Sequence, residues 1–436
     1  MSSQVTADHP LRDGVLRKLS RPLPAWIVPL LCALALVGTA SFLLLVAGAG
    51  SARAWRAFFV NWLFWTGLSQ AGVLFAATQI ISGSRWSHPV RRIAEASAAF
   101  LPVSFVLFLV LWLGRAHIFP WIAVPPEEWP KGFWLRDWFV FGRVGVGLLV
   151  MYALSFWFMY HSLRPDVALL RAGAPARVGR LYAWLARGWG AAGDAGGEEA
   201  QLAFSEGRLA RLSPGLVVAY ALVMSLIGFD FIMSLAPHWM SNLLGAYFFM
   251  AAWLMSLMAL ALTTIFWRRH LGLDDLITAT TLHDIGKLCF AFTVFWMYLF
   301  FSQFIVIWYG NQPEETSAMM LRIATEPWRR VGILMVVLVF VVPFAGLMGV
   351  KPKQTPAILG TFAAISLLGL WLDRWMFVVP SIVQSAPRAP LGWTELLVTA
   401  GFAGVWGLCH AWFASTFPIV SPRLLEKMER GGAGHH

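Results

Sequence analysis

Charged residues are scarce in this chain, and cysteine is almost absent. Only 13% of the 436 residues are Asp, Glu, Lys or Arg, against about a quarter in soluble globular domains. With 58% apolar residues and so few charges, the chain cannot cover a water-exposed surface, which excludes a soluble enzyme and a disordered protein. The three cysteines, Cys32, Cys289 and Cys409, are isolated and form no CxxC pair. We therefore expect no disulfide framework, zinc site or iron–sulfur cluster in this chain.

Long apolar runs take the place of the missing charges. Ten segments have the roughly 20 apolar residues that a helix needs to cross about 30 Å of hydrocarbon, and they are far longer than barrel strands. Because only helices and closed barrels satisfy the backbone in lipid, the sequence predicts an all-α polytopic membrane protein with ten transmembrane helices. The predicted spans, in chain order, are 25–48, 57–82, 96–114, 140–162, 213–235, 242–267, 285–309, 331–350, 356–380 and 394–417.

Basic residues outnumber acidic ones, with 33 Lys and Arg against 22 Asp and Glu. They lie in short loops between apolar runs, so we interpret the excess as topological and expect no nucleic-acid partner. The loops on the side of both termini hold about twice as many Lys and Arg as the opposite loops, which predicts cytoplasmic termini.

The polar segments divide the chain into five parts. The connection after the fourth span contains GRLYAWLARGW, which predicts a basic amphipathic helix on the inner membrane face. The predicted parts are an N-terminal segment 1–24, spans 1–4 in 25–163, the cytoplasmic connection 164–211, spans 5–10 in 212–418 and a cytoplasmic tail 419–436.

Ionisable side chains inside a membrane are costly, so each is a functional hypothesis. Asp373 and Arg374 are adjacent and point about 100° apart on a helix, so each either braces a neighbouring helix or belongs to a proton relay. Asp230 either binds the turn after its span or exchanges protons. His410 is either a proton carrier at physiological pH or a packing residue, and only His161 and His410 are placed for axial haem ligation, so we expect no bound haem.

The seventh span carries a polar face. Lys287, Tyr298, Ser302 and Tyr309 fall on one side of the predicted helix, with Asp284 as the expected N-cap. The hydroxyl groups of Tyr298, Ser302 and Tyr309 either line a chain of waters or bond to neighbouring helices.

Several motifs resemble one family, the polysulfide-reductase-anchor (NrfD-like) membrane subunits of alternative complex III, a bacterial quinol:cytochrome c oxidoreductase. The motif in the seventh span, HDIGKL followed by SQFIVIWYGNQPEE, is the most specific of them. The other matching segments are FDFIMSLAPHW at 229–239, RLYAWLARGWGA at 180–191 and WLDRWMFVVPS at 371–381. The stretch 134–147 lacks the N-x-x-SPL-x-WD segment of the larger of the two related membrane subunits, so the chain resembles the smaller paralogue.

The resemblance implies two four-helix bundles plus two peripheral helices, in the bacterial inner membrane. It also implies a subunit that stabilises the complex, takes part in proton translocation and binds no redox cofactor itself. Menaquinol, iron–sulfur clusters and c-type haems would belong to partners: a homologous quinol-binding membrane subunit, an iron–sulfur subunit, c-type cytochrome subunits and small membrane subunits, with phospholipid and, as an open possibility, a terminal oxidase. The residues that we predict for proton transfer are Asp230, Lys287, Tyr298, Asp373, Arg374 and His410.

Two other functions remain open at this stage. One is a quinone-binding membrane anchor of a related oxidoreductase, which a quinone bound near an iron–sulfur partner would favour. The other is a secondary transporter that works alone, which predicts inverted repeats and broken helices at the midplane. The sequence contains no matched pair of Gly/Pro-interrupted segments.

Overall fold

The computed structural model describes residues 21–123, 132–173, 176–189, 195–236 and 239–424. Across these residues the chain is an all-α polytopic membrane protein without a β-strand, and ten helices are long and apolar enough to cross a membrane. The ten predicted spans are thus confirmed. We number the helices α1 Ile27–Ala47, α2 Ser51–Ile81, α3 His88–Leu113, α4 Asp137–Leu170, α5 Gly197–Leu235, α6 Leu243–Leu271, α7 Ala279–Gly310, α8 Trp328–Leu347, α9 Pro356–Ile382 and α10 Trp393–Thr416.

Most helices run past the apolar segments that predict them. α4 continues to Leu170 and α5 contains polar residues from its first turn, because backbone hydrogen bonding does not stop where the hydrocarbon does. We call the end of the bundle that carries residues 417–424 the terminal face. The opposite end, which carries the short helix Pro313–Ile323, is the distal face.

Two membrane helices contain a wide π-turn. In α8 the turn Val337–Val341 ends two residues before Pro343. The proline ring lacks an N–H and crowds the carbonyl one turn earlier. In α5 the turn Gly228–Ile232 contains the buried Asp230. π-turns re-aim side chains within a helix and are frequent at functional positions.

α1 and α10 form a peripheral pair. A Cβ atom placed on Gly38 of α1 would lie only 2.2 Å from the Cα atom of Gly401 of α10, so the two backbones touch at this point. Small residues permit such close approach between membrane helices. Because almost none of α1 is buried elsewhere, its place depends on α10.

The remaining eight helices form two groups around α2. Helices α2 to α5 pack with one another, helices α6 to α9 do the same, and α2 also contacts α6 and α9. α2 is consequently buried along nearly its whole length. This packing agrees with two four-helix bundles plus two peripheral helices.

A short helix Ala176–Leu185 occupies the connection between α4 and α5. Its apolar residues Val178, Tyr182 and Leu185 are buried within the chain. The Tyr182 hydroxyl donates to the Thr416 carbonyl at 2.8 Å, which fastens this helix to the end of α10. Burial raises the pKa of Tyr182 to about 12, so the hydroxyl keeps its proton at neutral pH.

Candidate functional site

Asp373 lies in the distal half of α9 and is 1% exposed. The Tyr247 hydroxyl of α6 donates a hydrogen bond to Asp373 Oδ1. Oδ2 accepts no hydrogen bond from any described residue, and the nearest cationic atom, Arg374 Nη1, is 3.7 Å away. Half of this buried carboxylate therefore lacks a hydrogen-bond donor.

Arg374 is fully buried and contacts Phe248, the residue of α6 that follows Tyr247. Its Nη2 donates to the Phe248 carbonyl at 2.9 Å, and the guanidinium lies 4.0 Å from the centre of the Phe248 ring. Asp373 and Arg374 thus contact successive residues of one helix. This geometry is that of a brace between α9 and α6, and the proton-relay role of the two residues stays a prediction.

A cavity of about 510 Å³ lies beside Asp373, among α7, α8, α9 and the helix Pro313–Ile323. Its walls are almost entirely apolar and include the rings of Phe300, Phe304 and Phe377. Ile333 of α8 belongs to the wall and is itself 58% exposed, so the cavity is open beside this residue rather than enclosed. Its size falls within the roughly 300–1,000 Å³ of small-molecule sites.

Arg322 places a positive charge in another part of the same wall. Its guanidinium donates to the carbonyls of Ala318 at 2.6 Å and Met376 at 3.0 Å, and to Ser381 Oγ at 2.6 Å. Burial lowers the pKa of Arg322 to about 10, which leaves it protonated at neutral pH. The cavity therefore has a cation held by neutral oxygens and, separately, the half-satisfied carboxylate of Asp373.

Asp230 has a complete set of partners, unlike Asp373. Both of its carboxylate oxygens accept from Arg143 of α4, each at 2.6 Å, and Trp134 Nε1 donates at 3.3 Å. The Arg143 guanidinium also lies 3.8 Å from the centre of the Trp134 ring. A two-point contact of this kind fixes geometry, so Asp230 fastens α5 to α4 in the distal half of the bundle.

The predicted polar face of α7 points away from the rest of the chain. Lys287 pairs with Asp284 at 2.7 Å and is largely exposed, while Tyr298 is 61% and Tyr309 86% exposed. The predicted N-cap role of Asp284 is wrong: α7 begins at Ala279, with Thr278 as its cap. The helix starts earlier because the Thr278 side chain accepts a hydrogen bond from the Thr281 backbone N–H and so caps the polar turn that precedes the apolar run.

Each of the two buried histidines accepts a hydrogen bond from an indole. Trp267 Nε1 donates to His410 Nε2 at 3.0 Å, and Trp157 Nε1 donates to His161 Nε2 at 3.2 Å. The His410 ring also stacks on Trp406. Among the described residues, no three His, Cys, Asp or Glu side chains are grouped so that they could hold a metal ion.

The six predicted proton-transfer residues do not form one cluster. Asp373 and Arg374 approach each other, and within the described ranges no hydrogen bond or ion pair joins the remaining four to them or to one another. The remaining four are Asp230, Lys287, Tyr298 and His410.

A buried ionic network near the terminal face escaped sequence reasoning. Arg92 of α3 donates to Glu95 at 2.6 Å and to Asp166 of α4 at 2.5 Å. Ser162 donates to Glu95 at 2.8 Å, and Ser421 donates to Asp166 at 2.8 Å. The predicted spans leave Arg92, Glu95 and Asp166 in loops. The helices in fact continue beyond the apolar runs, and the three side chains lie on helix faces that are buried in the bundle.

The sequence analysis also did not predict the partners of the two buried aspartates, Arg143 for Asp230 and Tyr247 for Asp373. Arg143 lies inside the predicted fourth span, and Tyr247 lies inside the sixth. A tyrosine is common in an apolar run, so the sequence does not mark Tyr247 as a partner of a buried charge. Only the tertiary structure shows its hydroxyl bonded to Asp373. Arg143 could have been found directly, because a cation inside a span requires a partner.

No family model matches the chain, and no curated protein is significantly similar to it in sequence.

Proposed function

We propose that this chain is an integral membrane subunit of a quinol:cytochrome c oxidoreductase of the alternative complex III type, in the bacterial inner membrane with both termini in the cytoplasm. Its role is to hold the complex together and to take part in proton translocation. Menaquinol oxidation, the iron–sulfur clusters and the c-type haems are assigned to partner subunits, among them the homologous quinol-binding subunit.

The observation that carries the subunit role is the exposure of Tyr298. This residue lies close to the middle of α7, yet 61% of it is exposed and its hydroxyl makes no hydrogen bond within the described residues. In hydrocarbon an unpaired hydroxyl costs several kcal/mol by analogy with transfer to a solvent without hydrogen bonds, roughly 4–8 kcal/mol in cyclohexane. A helix of a second subunit that covers this face removes the penalty.

Tyr309 shows why depth matters. It is more exposed than Tyr298, but it stands at the distal end of α7, one residue before the end of the helix. Tyrosine is enriched at this level of a membrane because its hydroxyl reaches the headgroups. Tyr309 therefore needs no protein partner, whereas Tyr298 does.

The proton role is assigned to the membrane-embedded pair of Asp373 and Tyr247. Asp373 Oδ2 accepts no hydrogen bond and its ion-pair contact with Arg374 is long, at 3.7 Å, so this oxygen can take up a proton without first losing a hydrogen bond. The tyrosine hydroxyl joins the carboxylate to α6. Asp230 is less suited to this role, because protonation would break its two-point contact with Arg143.

The test is co-isolation of the complex from native membranes in mild detergent. We expect the unaltered chain to copurify with c-type haem and iron–sulfur subunits. Tyr298→Ala, which removes the ring and the hydroxyl from the proposed interface, should reduce the copurified haem severalfold. Leu222→Ala is the matched control, because Leu222 of α5 is 67% exposed and needs no polar partner.

Tyr298→Phe distinguishes a protein partner from lipid, because the two cases predict opposite changes in the stability of the complex. Loss of the hydroxyl weakens the complex if a partner bonds to it, whereas facing lipid the same change is neutral or favourable. A colourless, stable homo-oligomer of the unaltered chain would contradict the proposal and favour a transporter that works alone.

A further inference from the structure

We propose that the cavity beside Arg322 binds the anion of a long-chain fatty acid, with its carboxylate on the Arg322 guanidinium and its acyl chain along the apolar walls. The site is independent of the proposed complex, because it depends only on the cavity and on residues of this chain. No partner subunit and no redox centre takes part in it.

The first argument is a cation without a counter-charge. Within the described residues no carboxylate pairs with Arg322, whose surroundings are those of a desolvated cation. A cation that is removed from water without an opposite charge is costly, so an anionic ligand is favoured here. The groups that accept hydrogen bonds from the guanidinium are all neutral: the carbonyls of Ala318, Met376 and Phe377 and the hydroxyl of Ser381.

The second argument is a donor that remains available. A guanidinium has five N–H groups, and the hydrogen bonds of Arg322 leave one N–H of Nη1 without a partner among the described residues. Arg322 lines the cavity and is partly exposed. A carboxylate that reaches this N–H forms a charge-assisted hydrogen bond, which is roughly twice as strong as a neutral one.

The third argument is the separation of charge from apolar surface along the cavity. Arg322 bonds to α9 beyond Asp373 in the distal direction, and Arg329, the second residue of α8, lines the same end of the cavity. From Arg329 the lining continues along α8 to Val337, about 12 Å deeper in the bundle. The uncompensated charge therefore lies at the distal end of the cavity and the apolar walls lie within the membrane, which matches the polarity of a fatty acid.

The fourth argument is the opening. Ile333 of α8 and Phe301 of α7 line the cavity and are 58% and 51% exposed, although both belong to membrane-spanning helices. A fatty acid can therefore enter sideways from the hydrocarbon. A phospholipid could insert one chain by the same route, but its glycerol and second chain would have to stay outside a cavity of about 510 Å³, which is why we favour a single-chain acid.

The test is a native mass spectrometry titration of the detergent-solubilised full chain with palmitate, in a buffer in which the acid is ionised. Methyl palmitate is the ligand control, because it has the same chain and an acceptor oxygen but no charge. We expect one palmitate per chain. Binding of the ester should be roughly tenfold weaker or more, because the charge-assisted hydrogen bond is lost.

Substitutions of Arg322 test the charge. Arg322→Gln keeps hydrogen-bond donors but removes the charge, and it should weaken palmitate binding roughly tenfold or more. Arg322→Lys keeps the charge and should retain most of the affinity. Arg330→Gln is the matched control, because the Arg330 side chain is a distal cation that is 83% exposed and does not line the cavity; it should leave binding unchanged.

Substitutions of glycine test the location. Gly332→Leu places a side chain in the cavity wall, where its Cβ would have only ordinary 3.5 Å contacts, and it should abolish binding. Gly142→Leu adds the same side chain to a position of α4 with nothing within 4 Å and should leave binding unchanged. Thermal unfolding of each variant shows whether it folds.

Three results would overturn the proposal. The first is equal binding of palmitate and methyl palmitate to the unaltered chain, a comparison that holds even if a variant fails to fold. The second is palmitate binding that is unchanged in Arg322→Gln. The third is a copurified phospholipid that Gly332→Leu removes and palmitate does not displace, which would identify a phospholipid site instead.

Discussion

Two carboxylates in the distal half of the bundle have opposite surroundings. Asp230 accepts two hydrogen bonds from Arg143 and one from Trp134, whereas Asp373 accepts one from Tyr247 and leaves an oxygen free. A fully paired carboxylate fixes two helices together. A half-paired one still has an oxygen that can accept a hydrogen bond or a proton.

The pairing of Asp230 predicts a loss of stability. Asp230→Ala leaves the partly buried Arg143 without its counter-charge and should destabilise the protein by about 3–5 kcal/mol, the range for breaking a buried pair. Thermal unfolding in detergent measures the change. In the double variant with Arg143→Met the unpaired cation is also removed, and most of the stability should return. An unaltered midpoint for the single variant would contradict the brace.

The free oxygen of Asp373 predicts a change in proton stoichiometry. Asp373→Asn should lower the number of protons translocated per electron, while quinol:cytochrome c turnover stays measurable because the redox centres are assigned to other subunits. The measurement is proton release from vesicles during turnover. Asp230→Asn is measured alongside, and an unchanged ratio in both variants would remove both carboxylates from any relay.

At the scale of the element, helix pairs differ in how they are held. α4 and α5 are fastened by the charges of Arg143 and Asp230, while α1 and α10 meet backbone to backbone at Gly38 and Gly401. Close backbone contact gains dispersion energy without burying charge, but it tolerates no additional atom. The contact between α1 and α10 should therefore be sensitive to a single added methyl group.

Gly38→Ala tests this contact. The added Cβ would meet backbone atoms of α10 that no rotamer change can move, so we expect α1 to separate and stability to fall by about 1–3 kcal/mol. Thermal unfolding and proteolysis between α1 and α2 both report the change. Gly142→Ala, a position with open space around it, should be neutral; a neutral Gly38→Ala would show that the helices adjust.

At the scale of the whole molecule, the two faces of the bundle differ: a buried ionic network joins the helices at the terminal face, whereas the distal face contains an apolar cavity. Arg92 joins α3 to α4 through Glu95 and Asp166, and Ser421 ties the segment after α10 to the same network. The distal face instead contains the apolar cavity beside Asp373. We expect the two faces to lie on opposite sides of the membrane, with the terminal face in the cytoplasm.

Cysteine accessibility tests this orientation. Ser82→Cys lies in the loop between α2 and α3 at the terminal face, and Thr325→Cys lies before α8 at the distal face; both positions are exposed. An impermeant thiol reagent should label Thr325→Cys in intact spheroplasts and Ser82→Cys only after lysis. The reverse pattern would place both termini outside.

The sequence by itself determined that the chain is all-α and crosses the membrane ten times. Hydrocarbon thickness and backbone hydrogen bonding are conditions on consecutive residues, so they can be read along the chain. Tertiary structure alone decided which ionisable groups meet, because Asp230 and Arg143 are 87 positions apart and Tyr247 and Asp373 are 126 apart. Their pairing, the outward face of Tyr298 and the cavity beside Asp373 all depend on how ten similar apolar helices pack, and apolarity does not distinguish one neighbour from another.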